Sequence, residues 1–181
     1  MTQYVAFLRA VNLGRRRRVS SAELRSLFEG LGFREVGTFR TSGNVIFGAE
    51  SEPLLGMAER IETGLAEALG YDVVIFLRTA SEVRAIANHQ PFARKATQAS
   101  KGKLQVALLS AKPAPRVQKS VLALATDADR LAFGDRELYW LPSGGTQDSA
   151  LDLKAVEKLL GATTMRTMGT VEQLAAKYLA H

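Results

Sequence analysis

The sequence predicts a mixed α+β fold in which two β-α-β-β-α-β units follow one another along the chain. Two observations carry this prediction. Strands and helices alternate by hydrophobic pattern in residues 1–80, and the same order of elements returns in residues 103–181. Between these units, residues 81–102 read as a short helix and a basic linker.

The composition indicates a cytoplasmic protein. The 181 residues are 46% apolar and 23% charged, which is enough to bury a core. An amphipathic stretch stands where a secretory signal would lie, and no apolar run approaches the ~20 residues of a membrane span. The absence of cysteine excludes disulfides, thiolate catalysis and cysteine-based metal sites. We therefore expect no membrane partner, no metal and no cofactor.

The first elements are predicted from local signals. Residues 3–9 form a strand that is apolar on both faces, so its sheet is expected to be covered on both sides. Ser20 and Glu23 have the spacing of a capping box, which predicts a helix that starts near Ser20 and stops before Gly32.

The rest of the first unit follows in the same way. Two short strands flank the turn Ser42-Gly43-Asn44, as in a hairpin. Pro53 opens a second helix that runs to Gly70, and an apolar strand covers residues 73–77.

The second unit repeats the order of elements without a visible repeat of residues. A short helix near residues 82–88 and the polar stretch "ARKATQASKGK", which we expect to be flexible, precede it. A helix is expected from Ser149 to Leu160, with Ser149 and Asp152 as a second capping box. The remaining predicted elements are a strand in 103–110, a helix over 115–125, a hairpin around Gly134-Asp135 and a last helix over 170–179. Two tandem ferredoxin-like units, packed together and followed by an extra C-terminal helix, are the simplest interpretation.

Four segments resemble a known family. They are "YVAFLRAVNLGRRRRVSSAELRSLFEGLGFREVGTFRTSGNVIF", "QPF", "ELYWLPSG" and "TTMRTMGTVEQL". The first is similar to the L-R-G-I-N-V-G-G and T-x-x-x-S-G-N-V-x-F motifs of the bacterial domain-of-unknown-function family 1697. The resemblance runs nearly end to end, and it implies a duplicated α/β fold and a bacterial intracellular setting, with no established activity.

The chain departs from the motifs of that family in three places. Ala10 and Arg15 replace glycines, so the loop after the first strand is bulkier and more cationic. The segment over 164–170 lacks the Asn and Trp of the family's T-T-R-N-W-x-T. Ser149-Ala150 stands where a serine-lysine pair is common, which puts any role of that lysine in doubt.

The net charge of +6 is concentrated in two loops. Arg15 to Arg18 form one basic run, while Arg94, Lys95, Lys101 and Lys103 form another.

In a sheet with antiparallel order 4-1-3-2, the loop after strand one and the turn after strand two share one end. Guanidinium groups, the first helix N-terminus and Asn and Ser side chains there suit an anion. The predicted ligand-binding residues are Arg9, Asn12, Gly14, Arg15, Arg16, Arg17, Arg18, Ser42, Gly43 and Asn44, together with Arg166, which is expected in the loop after the last helix of the second unit.

Simpler explanations stand beside this site. Ser42-Gly43-Asn44 is also a common turn sequence, Ser20 is explained as a cap, and a buried arginine such as Arg9 or Arg166 pairs with a carboxylate more often than with an anion.

Three functions remain open. The first is binding of a nucleic acid or another polyanion. The second is an enzymatic activity on a small phosphorylated or carboxylated substrate, and the third is a role as an interaction module without chemistry. Asp72, Asp135 and Asp148 are the candidate acids, each also explained as a turn or cap residue.

The two histidines, His89 and His181, leave a Ser-His-Asp triad or a multi-histidine metal site almost nothing to work with, and His89 is expected at a helix end rather than as a catalyst. No phosphate-binding glycine motif is present. Tyr139 and Trp140 point to opposite faces of their strand and are expected in the core rather than on a base-stacking platform.

Overall fold

The computed structural model describes residues 1–9, 19–40 and 43–179 of the chain. Within these ranges it contains two four-stranded antiparallel sheets and seven α-helices, which confirms the mixed α+β class. The chain divides into two compact units: unit 1 comprises Met1–Ala85 and Leu174–His181, and unit 2 comprises Ile86–Gln173. No helix in the described ranges combines the length and apolarity of a membrane span.

Unit 1 contains the first sheet, whose strand order is β2-β3-β1-β4. This is the antiparallel order on which the predicted site depends. Its elements are β1 (Thr2–Arg9), α1 (Ser21–Gly30), β2 (Arg34–Phe39), β3 (Asn44–Ala49), α2 (Leu54–Leu69), β4 (Val74–Thr79) and the start of α3 (Ala80–Asn88).

The local signals of unit 1 act as predicted. The Ser20 hydroxyl accepts a hydrogen bond from the Glu23 backbone N–H at 3.1 Å, and the Glu23 carboxylate accepts one from the Ser20 N–H at 2.9 Å. Gly32, with a φ of 90°, follows α1, and Gly70, with a φ of 78°, ends α2. Both glycines adopt a left-handed conformation that other residues reach only at a cost.

The core of unit 1 is rich in aromatic rings. Tyr4 stacks on Phe47 with ring centroids 5.7 Å apart, and Phe47 also lies 5.3 Å from Phe28 and 4.5 Å from Phe33. On the other face of β1, the Val5 side chain is buried as completely as these rings. The first strand is therefore buried on both faces, as its sequence predicts.

Unit 2 repeats the strand arrangement, with the order β6-β7-β5-β8. Its Ala107, Leu138, Val121 and Val156 form a smaller core between sheet and helices. Its elements are the end of α3, α4 (Arg94–Ala99), β5 (Gln105–Leu108), α5 (Pro115–Leu122), β6 (Asp129–Phe133), β7 (Glu137–Pro142), α6 (Leu153–Leu160), β8 (Thr164–Thr167) and the start of α7 (Met168–Tyr178).

Two predictions for unit 2 are wrong. Residues 94–99, in the stretch expected to be flexible, form α4, because Ala, Arg, Lys and Gln favour helix. Helix α6 begins at Leu153 rather than Ser149, and its cap is Asp152, whose carboxylate accepts the Ala155 N–H at 2.9 Å. Ser149 does not cap this helix, because its hydroxyl donates to the carboxylate of Asp129.

The strand-to-helix junctions of the two units share a pattern that the sequence analysis missed. Residues 77–83 read LRTASEV and residues 165–171 read MRTMGTV, and in both the helix starts directly after the threonine. The Thr79 hydroxyl accepts the Glu82 N–H and the Thr167 hydroxyl accepts the Thr170 N–H, each at 3.2 Å. Each preceding arginine donates from Nη1 to the carbonyl of the residue before it, at 2.8 Å and 2.9 Å. The two units thus repeat residues as well as elements at this point.

The capping box of α1 yields a prediction about stability. We expect Ser20→Ala to lower the free energy of unfolding by about 1 kcal/mol, because the Glu23 N–H loses its acceptor. Chemical denaturation followed by circular dichroism measures this change. Ser26→Ala, an exposed position within the same helix, serves as the matched control and should leave stability unchanged or slightly raised. Equal effects of the two substitutions would contradict the role of the cap.

Candidate functional site

Three predicted site residues meet at one end of the sheet in unit 1. Arg9 is the last residue of β1 and pairs with Val74 at the start of β4. One residue earlier, the Leu8 N–H donates to the Gly43 carbonyl at 2.9 Å, which ties the end of β1 to the turn before β3. Asn44 follows as the first residue of β3. Arg9, Gly43 and Asn44 therefore share this end of the sheet.

The other predicted residues of this end lie outside the described part of the chain. The described chain stops at Arg9 and resumes at Val19, whose side chain is buried in the core of unit 1. The residues concerned are Asn12, Gly14, Arg15, Arg16, Arg17, Arg18 and Ser42.

Asn44 has a structural contact at this end. Its side chain is buried, and its Nδ2 donates to the Phe39 carbonyl at 3.0 Å. Phe39 is also its partner across the β2–β3 ladder. The Asn44 amide thus fastens the hairpin, in agreement with the simpler explanation of the Ser-Gly-Asn turn.

The N-terminus of α1 is less suited to an anion than the sequence suggests. The Ser20 hydroxyl and the Glu23 carboxylate already accept two of the backbone N–H groups there. The Glu23 carboxylate also places negative charge where an anion would bind. An anion at this end would therefore depend on arginine side chains rather than on the helix terminus.

Arg40 is a basic residue at this end that the sequence analysis missed. It directly follows β2, is exposed and has a φ of 50°. Its guanidinium carbon lies 5.7 Å from the centroid of the Phe39 ring. The available signal was its position, because it immediately precedes the hairpin turn.

Arg166 lies in strand β8, paired with Val106, and not in a loop as expected. The expectation is wrong because residues 164–167 pair with the central strand β5. The Arg166 Nη1 donates to the Thr164 hydroxyl at 2.8 Å and to the Met165 carbonyl at 2.9 Å. Burial lowers the pKa of Arg166 to about 10, so the guanidinium remains charged at neutral pH. Arg166 belongs to unit 2, whereas the other predicted residues belong to unit 1.

Asp129, which was not among the predicted acids, is the more deeply buried of the two buried acids described in unit 2, the other being Glu137. The Asp129 side chain is 1% exposed. Trp140 Nε1 and the Ser149 hydroxyl donate to one carboxylate oxygen at 2.8 and 2.6 Å, and the Thr126 hydroxyl donates to the other at 2.7 Å. Burial raises the pKa of Asp129, but these three donors outweigh it, so the pKa lies below its ordinary value. A carboxylate held in its charged form suits a structural clamp better than a proton acceptor.

The candidate acids of the sequence analysis have simpler surroundings. Asp135 forms an exposed ion pair with Lys112 at 3.5 Å, and Asp148 ends a 3-10 turn over Thr146–Asp148. Among the described residues, no group of three or more acidic or histidine side chains is arranged to hold a metal ion.

Comparisons with known proteins identify a family and a fold. The family model described as "Protein of unknown function (DUF1697)" matches residues 1–139. No curated protein matches the chain. The structure is similar to that of the conserved bacterial protein SP0830 from Streptococcus pneumoniae, with a TM-score of 0.74 and 20% sequence identity over 98% of this chain and 99% of that chain. This likeness shows a shared fold.

The Asp129 clamp yields a prediction that depends on pH. We expect Asp129→Asn to lower the free energy of unfolding at pH 7 by about 1–3 kcal/mol, because buried donors lose their charged acceptor. Since the folded-state pKa of Asp129 is lowered, this stabilisation is present above the unfolded-state pKa of about 3.9 and is lost as the pH falls through the folded-state value. Urea denaturation from pH 7 to pH 3 should therefore show the two proteins converging in acid.

The matched control is Asp127→Asn, because Asp127 is exposed and lies two residues away. We expect this variant to follow the wild-type protein at every pH. A constant difference between wild type and Asp129→Asn across the pH range would contradict a charged clamp.

Proposed function

Because the chain belongs to the DUF1697 family, whose description states no activity, we propose its function from its own residues. It binds phosphate-bearing anions, either a nucleic acid or a phosphorylated small molecule, through the arginine-rich segment that follows β1. This function is exercised in the cytoplasm.

The observation that carries the proposal is the place of the segment in the sequence, between a described strand end and a described helix start. Residues 10–18 include four consecutive arginines. The described flanks of the segment are Arg9 and Val19. Arg9 belongs to the end of unit 1 that also carries the turn at Gly43 and the exposed Arg40, and Val19 is buried in the core of unit 1. Two described basic residues, Arg9 and Arg40, thus belong to this end of the sheet, and the arginine run follows Arg9 directly in the sequence.

The physical basis is electrostatic. Guanidinium groups donate two parallel hydrogen bonds to a phosphate, and clustered arginines release the counterions that surround a polyanion. Arg9, Asn12, Gly14, Ser42 and Gly43 are proposed to shape and line this site, while Asn44 holds the hairpin. Arg166 is proposed as a separate basic position in unit 2.

The aromatic residues favour phosphate contacts over base stacking. Tyr139 and Trp140 are 2% and 1% exposed. Since neither ring has a free face, neither can act as a stacking platform of the kind found in RNA-recognition domains. The proposed interaction is therefore with the sugar-phosphate backbone or with a free phosphate group.

We further propose that each unit is ferredoxin-like and that the two arose by duplication. The identical strand orders and the shared Arg-Thr junctions support this interpretation. In this view residues 1–80 and 103–181 are the repeats, and residues 81–102 connect them.

The anion proposal predicts salt-dependent binding. We expect fluorescence anisotropy of labelled single- and double-stranded RNA and DNA to show binding that persists near physiological salt. Replacing Arg15 to Arg18 with serine should weaken it and flatten its salt dependence by up to roughly 0.9 log units per lost phosphate contact on duplex DNA.

The matched control removes the same charge elsewhere. It replaces Lys112, Arg116, Lys119 and Lys158, all exposed in unit 2, with serine. If both variants bind equally weakly, binding depends only on the net charge of the protein, and the proposed site at residues 15–18 is wrong. If the nucleic acids do not bind, a thermal-shift series with phosphorylated metabolites tests whether the ligand is a phosphorylated small molecule. Failure of both arms would favour an interaction module instead.

A further inference from the structure

A cavity of about 650 Å³ opens beside the helix-covered face of the sheet in unit 2. Gln105 of β5 and Trp140 of β7, which are partners across the ladder, contribute to its lining. Leu153 and Lys154 at the start of α6 and Met165 of β8 extend the lining. The Asp152 carboxylate also lines the cavity and is engaged as the helix cap, since it accepts the Ala155 N–H at 2.9 Å.

The corresponding place in unit 1 is filled. Gln105 pairs with Trp140 and Thr167, just as Tyr4 pairs with Phe47 and Thr79. Since Thr79 and Thr167 occupy the same place at the two strand-to-helix junctions, Gln105 is the counterpart of Tyr4. In unit 1 the Tyr4 ring belongs to a packed cluster with Phe28, Phe33 and Phe47. Unit 2 has an amide in place of that ring and a cavity beside it.

The Gln105 amide presents a hydrogen-bond acceptor to this cavity. The side chain is 7% exposed, and its Nε2 donates to the Lys103 carbonyl at 3.0 Å, which fixes the orientation of the amide. Within the described chain, Oε1 accepts no hydrogen bond. No fully buried side-chain oxygen or nitrogen there lacks a partner, so this oxygen faces the open space of the cavity. A buried acceptor in this situation is satisfied by water or by a ligand.

The rim adds one cation and an apolar wall. Lys154 is exposed, and its ammonium forms no ion pair or hydrogen bond with the other described residues. Leu153 remains 41% exposed although it borders the cavity, and Leu151 and Met165 extend the apolar surface. The cavity thus combines an apolar wall, a deep acceptor and a cation at its rim, a combination typical of small-molecule sites.

We propose that unit 2 binds a small amphipathic organic anion in this cavity. The apolar, ring-sized body of the ligand lies against Leu151, Leu153 and Met165. Its anionic group pairs with Lys154, and an N–H or O–H group donates to Gln105 Oε1. This site is independent of the arginine-rich segment of unit 1.

The test uses 8-anilinonaphthalene-1-sulfonate as the probe, because it carries aromatic rings, an N–H donor and a sulfonate. We expect the full chain to bind it with a saturable rise in fluorescence. Lys154→Ala should weaken binding roughly fivefold, the upper range for an exposed ion pair. Leu153→Ala and Gln105→Met should weaken it as well, through loss of the apolar wall and of the acceptor.

Two substitutions on the same helix serve as matched controls. Leu159 is also 41% exposed and Lys158 is also exposed, and neither lines the cavity. Leu159→Ala and Lys158→Ala should bind the probe like the wild-type protein. Because the residues at 153, 154, 158 and 159 are all exposed, circular dichroism should show that these variants fold alike.

The result that would overturn the proposal is clear. The proposal fails if the wild-type chain does not bind the probe, or if the control substitutions weaken probe binding as much as the cavity substitutions do. The variant with serines at 15–18 should retain probe binding in full, so failure of the nucleic-acid experiment and failure of this one are distinguishable.

Discussion

Each sheet depends on a central strand that is hydrogen-bonded on both sides. Strand β1 pairs with β3 and β4, and β5 pairs with β7 and β8. Since successive residues of a strand point to opposite faces, a slip of one residue in these pairings would exchange the two faces of the sheet. In β5 such a slip would move Gln105 away from its cavity. The register of the central strand therefore decides which side chains form the core and which are available to a ligand.

Most elements of unit 1 could be predicted because their signals are local. These signals are the capping box of Ser20 and Glu23 and the left-handed glycines at 32 and 70. Each depends only on residues that are close to it in the sequence. The elements of unit 2 were harder to predict, because the contacts that determine where they begin and end join residues that are distant in the sequence. Ser149 has the spacing of a cap, but its hydroxyl is bound by Asp129, twenty residues earlier. Strand β8 has four residues, which is too short for a hydrophobic period to stand out.

The candidate sites divide in the same way. The strand order was sufficient to bring Arg9 to the turn at Gly43, because topology alone decides which loops share an end. Arg40 could have been included on the same argument. Asp129 and Gln105 carried no pattern in the sequence, since a single buried polar residue is recognised only through its partners across the sheet. The comparison of Gln105 with Tyr4 required both registers to be known.

The two strand-to-helix junctions constrain how the chain can vary in length. Thr79 is the last residue of β4 and Ala80 the first of α3, and Thr167 and Met168 stand in the same relation. With no connecting residue between strand and helix, an insertion of one amino acid would turn the following helix by about 100°. Such a rotation would withdraw the fully buried Val83 and Val171 from their packing. Insertions and deletions among related chains should therefore be absent from these two junctions.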